Sequence, residues 1–337
     1  MRINNLALAT PIFKKYYFDI LFLVVALLFS YLLMQLRFSL NGEFGPGSLA
    51  ALTNYSASKP FQYRVLMPWL ANLLLKLGFP PFNSILGTFK VLETISVFSI
   101  ILSFRYYISL FVNNKTIVSF LAFSILYILP FNFLLPRIIP VYYPYDMPSI
   151  FFFTLGLIFM YRQKWIAYYA VFVFATFNRE TTSFLTFIYL FTSIRRERPN
   201  RVFLHCCAQF IIWVIIKAVL FKLFYCNPGQ NGFEWFHMNS DITHLSTNIS
   251  FLLYFRNYPF FFSNLGFIWI PVFFYYRLIK IEFVQRSLLV IFPFFIGMMF
   301  VGNIFEIRIF GELIPVFLMA FLLILKEIFR EKSAITE

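Results

Sequence analysis

Apolar runs punctuated by short polar clusters recur along the whole chain, and several are long enough to cross a hydrocarbon core roughly 30 Å thick. They predict transmembrane helices over Ile20–Leu36, Ile85–Ser103, Ile117–Leu135, Met147–Tyr161, Trp165–Phe177, Thr181–Ile194, Val202–Phe224, Tyr258–Tyr276, Ser287–Val301 and Phe310–Leu325. One further apolar segment, Val65–Gly78, is short and carries Pro68 and Lys76. It reads as a helix lying along the interface. The expected fold is therefore all-α: one integral membrane domain spanning the chain, a polytopic bundle of about ten spans. Residues 37–84 form an outer loop with the interfacial helix, and residues 226–257 form a second large outer loop.

Composition agrees with a lipid-embedded chain, since 61% of the 337 residues are hydrophobic, 12% are charged and 51 are phenylalanine. The formal net charge of +14 would suit a nucleic-acid partner if it lay along one face. It lies instead in clusters between apolar runs, such as Arg195-Arg196 with Arg198 and Arg201, which are topology signals. Keeping Val65–Gly78 out of the membrane puts most of the basic residues on one side, and the positive-inside rule then makes both termini cytoplasmic. The first run has no small-residue cleavage site after it, so a retained helix is expected. Cys206, Cys207 and Cys226 give neither a disulfide framework nor a metal-ligand spacing and are read as packing residues.

This layout gathers the unusual polar residues on the outer side. Only the 30 residues Trp165 to Ile194 separate two cytoplasmic basic clusters, so a helix pair there reaches roughly 22 Å per helix at about 1.5 Å per residue. Asn178-Arg179-Glu180 should therefore end at membrane depth, where charges need partners or a polar cavity. They either fasten helices as a buried network or bind an anionic substrate. Asp146, in Pro-Tyr-Asp-Met-Pro, is held by flanking prolines and suits a helix cap, a catalytic carboxylate or both. Glu306, Arg308 and Glu312 fall where the ninth span gives way to the tenth, and the first two are too close in sequence to be stacked helical neighbours. Glu43 sits in a glycine-rich turn, Arg64 introduces the interfacial helix, Arg137 lies in the second outer loop, and Lys217 and Lys222 occupy the outer half of the seventh span. Tyr145 adjoins the aspartate. His237 and His244, with Asp241 between them, have the spacing of a solvated helical face or a weak metal pair.

These features together resemble the GT-C superfamily of membrane glycosyltransferases, which includes protein O-mannosyltransferases and the aminoarabinose transferases of lipid A. The resemblance is carried by the large first outer loop with its interfacial helix, the acid Asp146 in the second outer loop, the short pair around Asn178-Arg179-Glu180-Thr181, and Glu306-Ile307-Arg308 leading into Leu313-Ile314-Pro315. It implies inverting transfer of a sugar from a polyprenyl-phosphate donor to a glycan, lipid or protein acceptor on the outer face of a bacterial cytoplasmic membrane. Many members place a catalytic aspartate in the first outer loop, where this chain has only Glu43. The candidate catalytic carboxylates are thus Asp146, Glu43, Glu180 and Glu306. The candidate phosphate-binding residues are Arg64, Arg137, Arg179 and Arg308, with Asn178, Lys217, Lys222, Tyr145 and Glu312 lining the cavity. No cofactor is expected, a divalent metal ion stays open, and the membrane lipid is the other partner. A polysaccharide polymerase and a flippase for lipid-linked sugars are the competing readings.

Overall fold

The computed structural model describes residues 6–135, 141–238 and 240–335, and their regular secondary structure is helical. Among them no β-strand forms, and sixteen α-helices follow in order. These are α1 (Leu6–Leu40), α2 (Leu49–Thr53), α3 (Leu66–Leu75), α4 (Ile85–Ser109), α5 (Lys115–Ala122), α6 (Ile125–Phe133), α7 (Asp146–Tyr161) and α8 (Trp165–Asn178). They continue with α9 (Phe184–Ser193), α10 (Pro199–Leu223), α11 (His244–Leu253), α12 (Tyr258–Phe262), α13 (Trp269–Phe274), α14 (Glu282–Ser287), α15 (Ile291–Val301) and α16 (Ile314–Ile335). Six stretches are long and apolar enough to cross a membrane: Tyr17–Leu40, Ile85–Ser109, Lys115–Phe133, Pro199–Leu223, Glu282–Val301 and Ile307–Arg330. The expected spans on α7, α8 and α9 are shorter helices, and the expected interfacial helix is α3.

The expected span Tyr258–Tyr276 is not one helix but a series of short pieces. Pro259 and Pro271 each remove a backbone donor, and Leu265 and Gly266 take left-handed conformations at φ 55° and 59°. Irregular backbone at membrane depth is tolerated only where protein satisfies it, and here Asn132 of α6 does so. Its Oδ1 accepts from Leu265 N (3.0 Å), while its Nδ2 donates to Asn264 Oδ1 (2.9 Å) and to Ile307 O (2.9 Å). Asn248 performs the same service at the end of α15. Its Nδ2 donates to Gly302 O (2.7 Å) and Met299 O (3.1 Å), and its Oδ1 accepts from Ile304 N (3.0 Å).

The core is lined by α4, α6, α7 and α16. Within Ile307–Arg330, protein encloses 89% of the most apolar window, which is what a helix with hydrophobic residues on several sides requires. A Cβ on Gly156 of α7 would stand 2.7 Å from Leu185 Cδ1. A larger residue there would require the Leu185 side chain to move, so the glycine favours close approach of α7 and α9.

Successive segments run between two ends of the bundle. At one end, Arg196 pairs with Glu282 at 2.8 Å, Arg105 with Asp19 and Lys280 with Glu327, and Lys326 Nζ donates to Phe111 O at 3.1 Å. The other end carries the buried charges.

Candidate functional site

At that second end, ten charged side chains interlock below the surface. Five are cations (Arg37, Arg64, Arg179, Lys217, Arg308) and five are carboxylates (Glu93, Asp146, Glu180, Glu306, Glu312). Asp146 is the hub. It is fully buried, with Arg37 Nη2 at 3.4 Å, Arg308 Nη1 at 3.5 Å and Arg179 Nη1 at 3.6 Å. It is the first residue of α7, and the residue before it, Tyr145, makes no side-chain cap. The helix thus begins at the expected cap residue itself, and the carboxylate serves arginines instead.

Backbone geometry separates Arg179 from Glu180. Arg179 ends α8 in an extended conformation (φ −160°, ψ 139°), so the two side chains diverge rather than pair. Arg179 lies between Asp146 and Glu312, whose Oε1 is 3.7 Å from Arg179 Nε and also accepts from Thr181 Oγ1. Glu180 turns to Arg64, which donates from Nη2 (2.6 Å) and Nε (3.3 Å), with Lys217 Nζ 3.9 Å away. Trp213 Nε1 holds the Glu180 carbonyl at 2.9 Å. Glu306 and Arg308, too close in sequence to be stacked helical neighbours, nevertheless pair with each other, and Asn303 Nδ2 donates to Glu306 at 2.7 Å.

Aromatic faces carry the cations. The Arg64 guanidinium lies 4.3 Å from the Tyr145 ring, Arg308 lies 4.1 Å from Tyr143, and Lys217 lies 4.9 Å from Tyr63. Tyr143 stacks on Phe61 at 5.5 Å with the rings nearly parallel. Asn178 Nδ2 donates to Tyr145 O at 3.0 Å and so pins the start of α7 to the end of α8.

The cluster opens on one side into a cavity of about 270 Å³. Arg64, Arg179, Glu180, Glu306 and Arg308 line it together with Tyr143, Phe61 and a residue absent from the expected set, Glu234. Arg179 Nε and Arg308 Nε are buried without a hydrogen-bond acceptor among the described residues, and so is His244 Nε2. A second, apolar groove of about 790 Å³ runs between α9, α10 and α15, and it shares Glu180, Thr181, Phe233, Met298 and Val301 with the cavity.

Of the expected site residues, Asp146, Glu180, Glu306, Arg64, Arg179, Arg308, Lys217, Asn178, Tyr145 and Glu312 belong to this cluster. Asp146 stands behind the cavity wall rather than in it. Glu43 is elsewhere: it is exposed, and its Oε2 caps α2 by accepting from Leu49 N at 3.0 Å. Lys222 is exposed and outside the cluster, and Arg137 lies outside the described residues. His237 and His244 do not share a helical face. His237 precedes α11, His244 opens it, and their rings lie 4.3 Å apart. Among the described residues no group of three His, Cys, Asp or Glu is placed to hold a metal ion.

Sequence reasoning passed over Arg37, Glu93 and Glu234. A glutamate inside the apolar run of α4 was a legible signal for the first two, because a membrane-embedded acid needs a partner. Fold and site thus define an all-helical protein with six helices long and apolar enough to cross a membrane and an arginine-rich, carboxylate-balanced cavity at one end. No protein family, curated protein or solved structure matches the chain.

Proposed function

We propose that this chain is a membrane glycosyltransferase that moves a sugar from a polyprenyl-phosphate donor to an acceptor hydroxyl. The observation that carries the reading is the junction of a charged cavity with an apolar groove through shared residues. A polyprenyl-phosphate sugar has the same two-part chemistry, with an anionic head and a long hydrocarbon tail. The head fits beside Arg64, Arg179 and Arg308, where the Nε donors of Arg179 and Arg308, which make no hydrogen bond among the described residues, can bond phosphate oxygens. The tail fits the groove between α9 and α15, whose walls are mostly Phe, Trp, Ile, Met and Val.

In the proposed reaction, charge grows on the phosphate as its bond to the anomeric carbon breaks, and fixed guanidiniums favour that state over the ground state. Asp146, ringed by Arg37, Arg179 and Arg308, acts in this reading by holding the arginines in place. The layout of about ten crossings with both termini in the cytoplasm of a bacterium belongs to the same proposal. It is supported by the collection of buried charge at one end of the bundle.

The test is purified protein in nanodiscs with a panel of radiolabelled polyprenyl-phosphate hexoses and pentoses and a mixed-glycan acceptor. Transfer of one sugar residue supports the proposal. Chain extension favours a polymerase, and movement of donor between leaflets without covalent change favours a flippase.

A further inference from the structure

A carboxylate that takes a proton from an acceptor must face the cavity, be free of a competing cation and be held still. Glu180 and Glu306 face the cavity but are engaged by Arg64 and Lys217 and by Arg308 and Asn303 respectively. Asp146 and Glu312 are buried in ion pairs behind it. Glu234 lines the cavity, and among the described residues it has no hydrogen bond and no ion pair.

Its loop is fixed on several sides. Lys59 N donates to Pro228 O (2.7 Å), and Lys59 Nζ donates to Asn231 Oδ1 (2.7 Å). Trp235 N donates to Gln230 Oε1 (3.0 Å), and His244 N donates to Trp235 O (3.1 Å). Phe233 lies nearly parallel to Trp213 with ring centroids 6.2 Å apart. Phe233 and Trp235 line the groove while Glu234 between them lines the cavity. The glutamate therefore stands where the head and tail of a lipid-linked donor would part.

Resting on the glycosyltransferase reading, we propose that Glu234 is the general base that deprotonates the acceptor hydroxyl. The acceptor oxygen bonds to the anomeric carbon as the carbon–oxygen bond to the donor phosphate breaks. That electron pair stays on the polyprenyl phosphate, and the acceptor proton passes to the Glu234 carboxylate and then to water. Burial pushes the Glu234 carboxyl up to about 7, with Arg64 opposing and Glu306 and Glu180 adding to the rise. His237 and His244 also face this cavity. A base poised near neutral pH balances availability against proton affinity.

The experiment compares the full chain with Glu234→Gln, Glu234→Asp and, as a control on the same loop, Asp241→Asn, with the nanodisc donor panel. Polyprenyl-phosphate binding is measured in parallel. Glu234→Gln is expected to lose about 10²- to 10⁴-fold in turnover while binding polyprenyl phosphate within two-fold of the parent. Glu234→Asp should keep part of the rate, and Asp241→Asn all of it. The parent rate should rise with pH through about 7, a limb absent from the residual rate of Glu234→Gln. Turnover of Glu234→Gln within three-fold of the parent, or a parallel loss of lipid binding, overturns the role of Glu234. No transfer by the parent from any donor overturns the glycosyltransferase reading itself.

Discussion

At the scale of single residues, the site is governed by how buried charges share partners. Three guanidiniums converge on Asp146, so Asp146→Asn removes one charge and leaves three cations short of a counter-ion. Breaking a buried pair in this way costs roughly 3–5 kcal/mol, and the variant should unfold in detergent at markedly lower temperature than Glu234→Gln. Equal melting temperatures for the two would show that Asp146 is not the hub. Arg64→Lys keeps the charge but loses the two-pronged contact of Nε and Nη2 with Glu180. Polyprenyl-phosphate affinity should fall by about ten-fold, read by titration in nanodiscs. Glu234 gives a dependence on pH with a definite sign. Its folded value is raised to about 7, so its contribution to stability is complete below the ordinary carboxylate range and is lost as pH rises through about 7. Relative to the parent, Glu234→Gln should therefore gain stability as pH is raised across that window, measured as a difference in thermal midpoints.

At the scale of elements, the lateral groove gives the sharpest test of the lipid tail. Ile296 of α15 lines it and is exposed. Ile296→Trp should fill part of the groove, weakening polyprenyl-phosphate binding several-fold while leaving a short-chain isoprenyl phosphate unaffected, because the head site is untouched. The helices framing this groove were readable in the sequence to within a few residues. Their apolar runs locate α9, α10 and α15, expected at Thr181–Ile194, Val202–Phe224 and Ser287–Val301, and the short pair around Arg179 announced itself by having too few residues to cross. The broken stretch from Tyr258 to Tyr276 was not legible as broken. Its apolar composition is that of a span, and the left-handed turn at Leu265 and Gly266 is stabilised by Asn132, far away in the sequence. Glu234 was hidden for a related reason. Nothing local marks it, and its isolation appears only once neighbouring carboxylates have been claimed by Arg64, Arg308, Asn303 and Lys217.

At the scale of the whole molecule, the two ends of the bundle differ in kind. One end carries ion pairs with accessible members, such as Arg196–Glu282. The other hides its charges around a cavity. Reporter fusions after Lys115, Arg162, Arg198 and Lys280 should report cytoplasm, and fusions within 227–257 should report the outer side. An outer signal at Arg198 would invert the arrangement. The backbone of 258–278 also bears on how the chain is made. No stretch within it qualifies as a membrane-crossing helix, and its irregular backbone relies on Asn132, which emerges from the ribosome more than a hundred residues earlier. The insertion machinery therefore meets a segment that is stable in lipid only against a helix already in place. Biogenesis acquires an order, with α6 serving as the template on which 258–278 settles. Replacing Asn132 with leucine should leave α6 hydrophobic enough to enter the bilayer while stranding the later segment, so that fusions beyond Lys280 report mixed orientations.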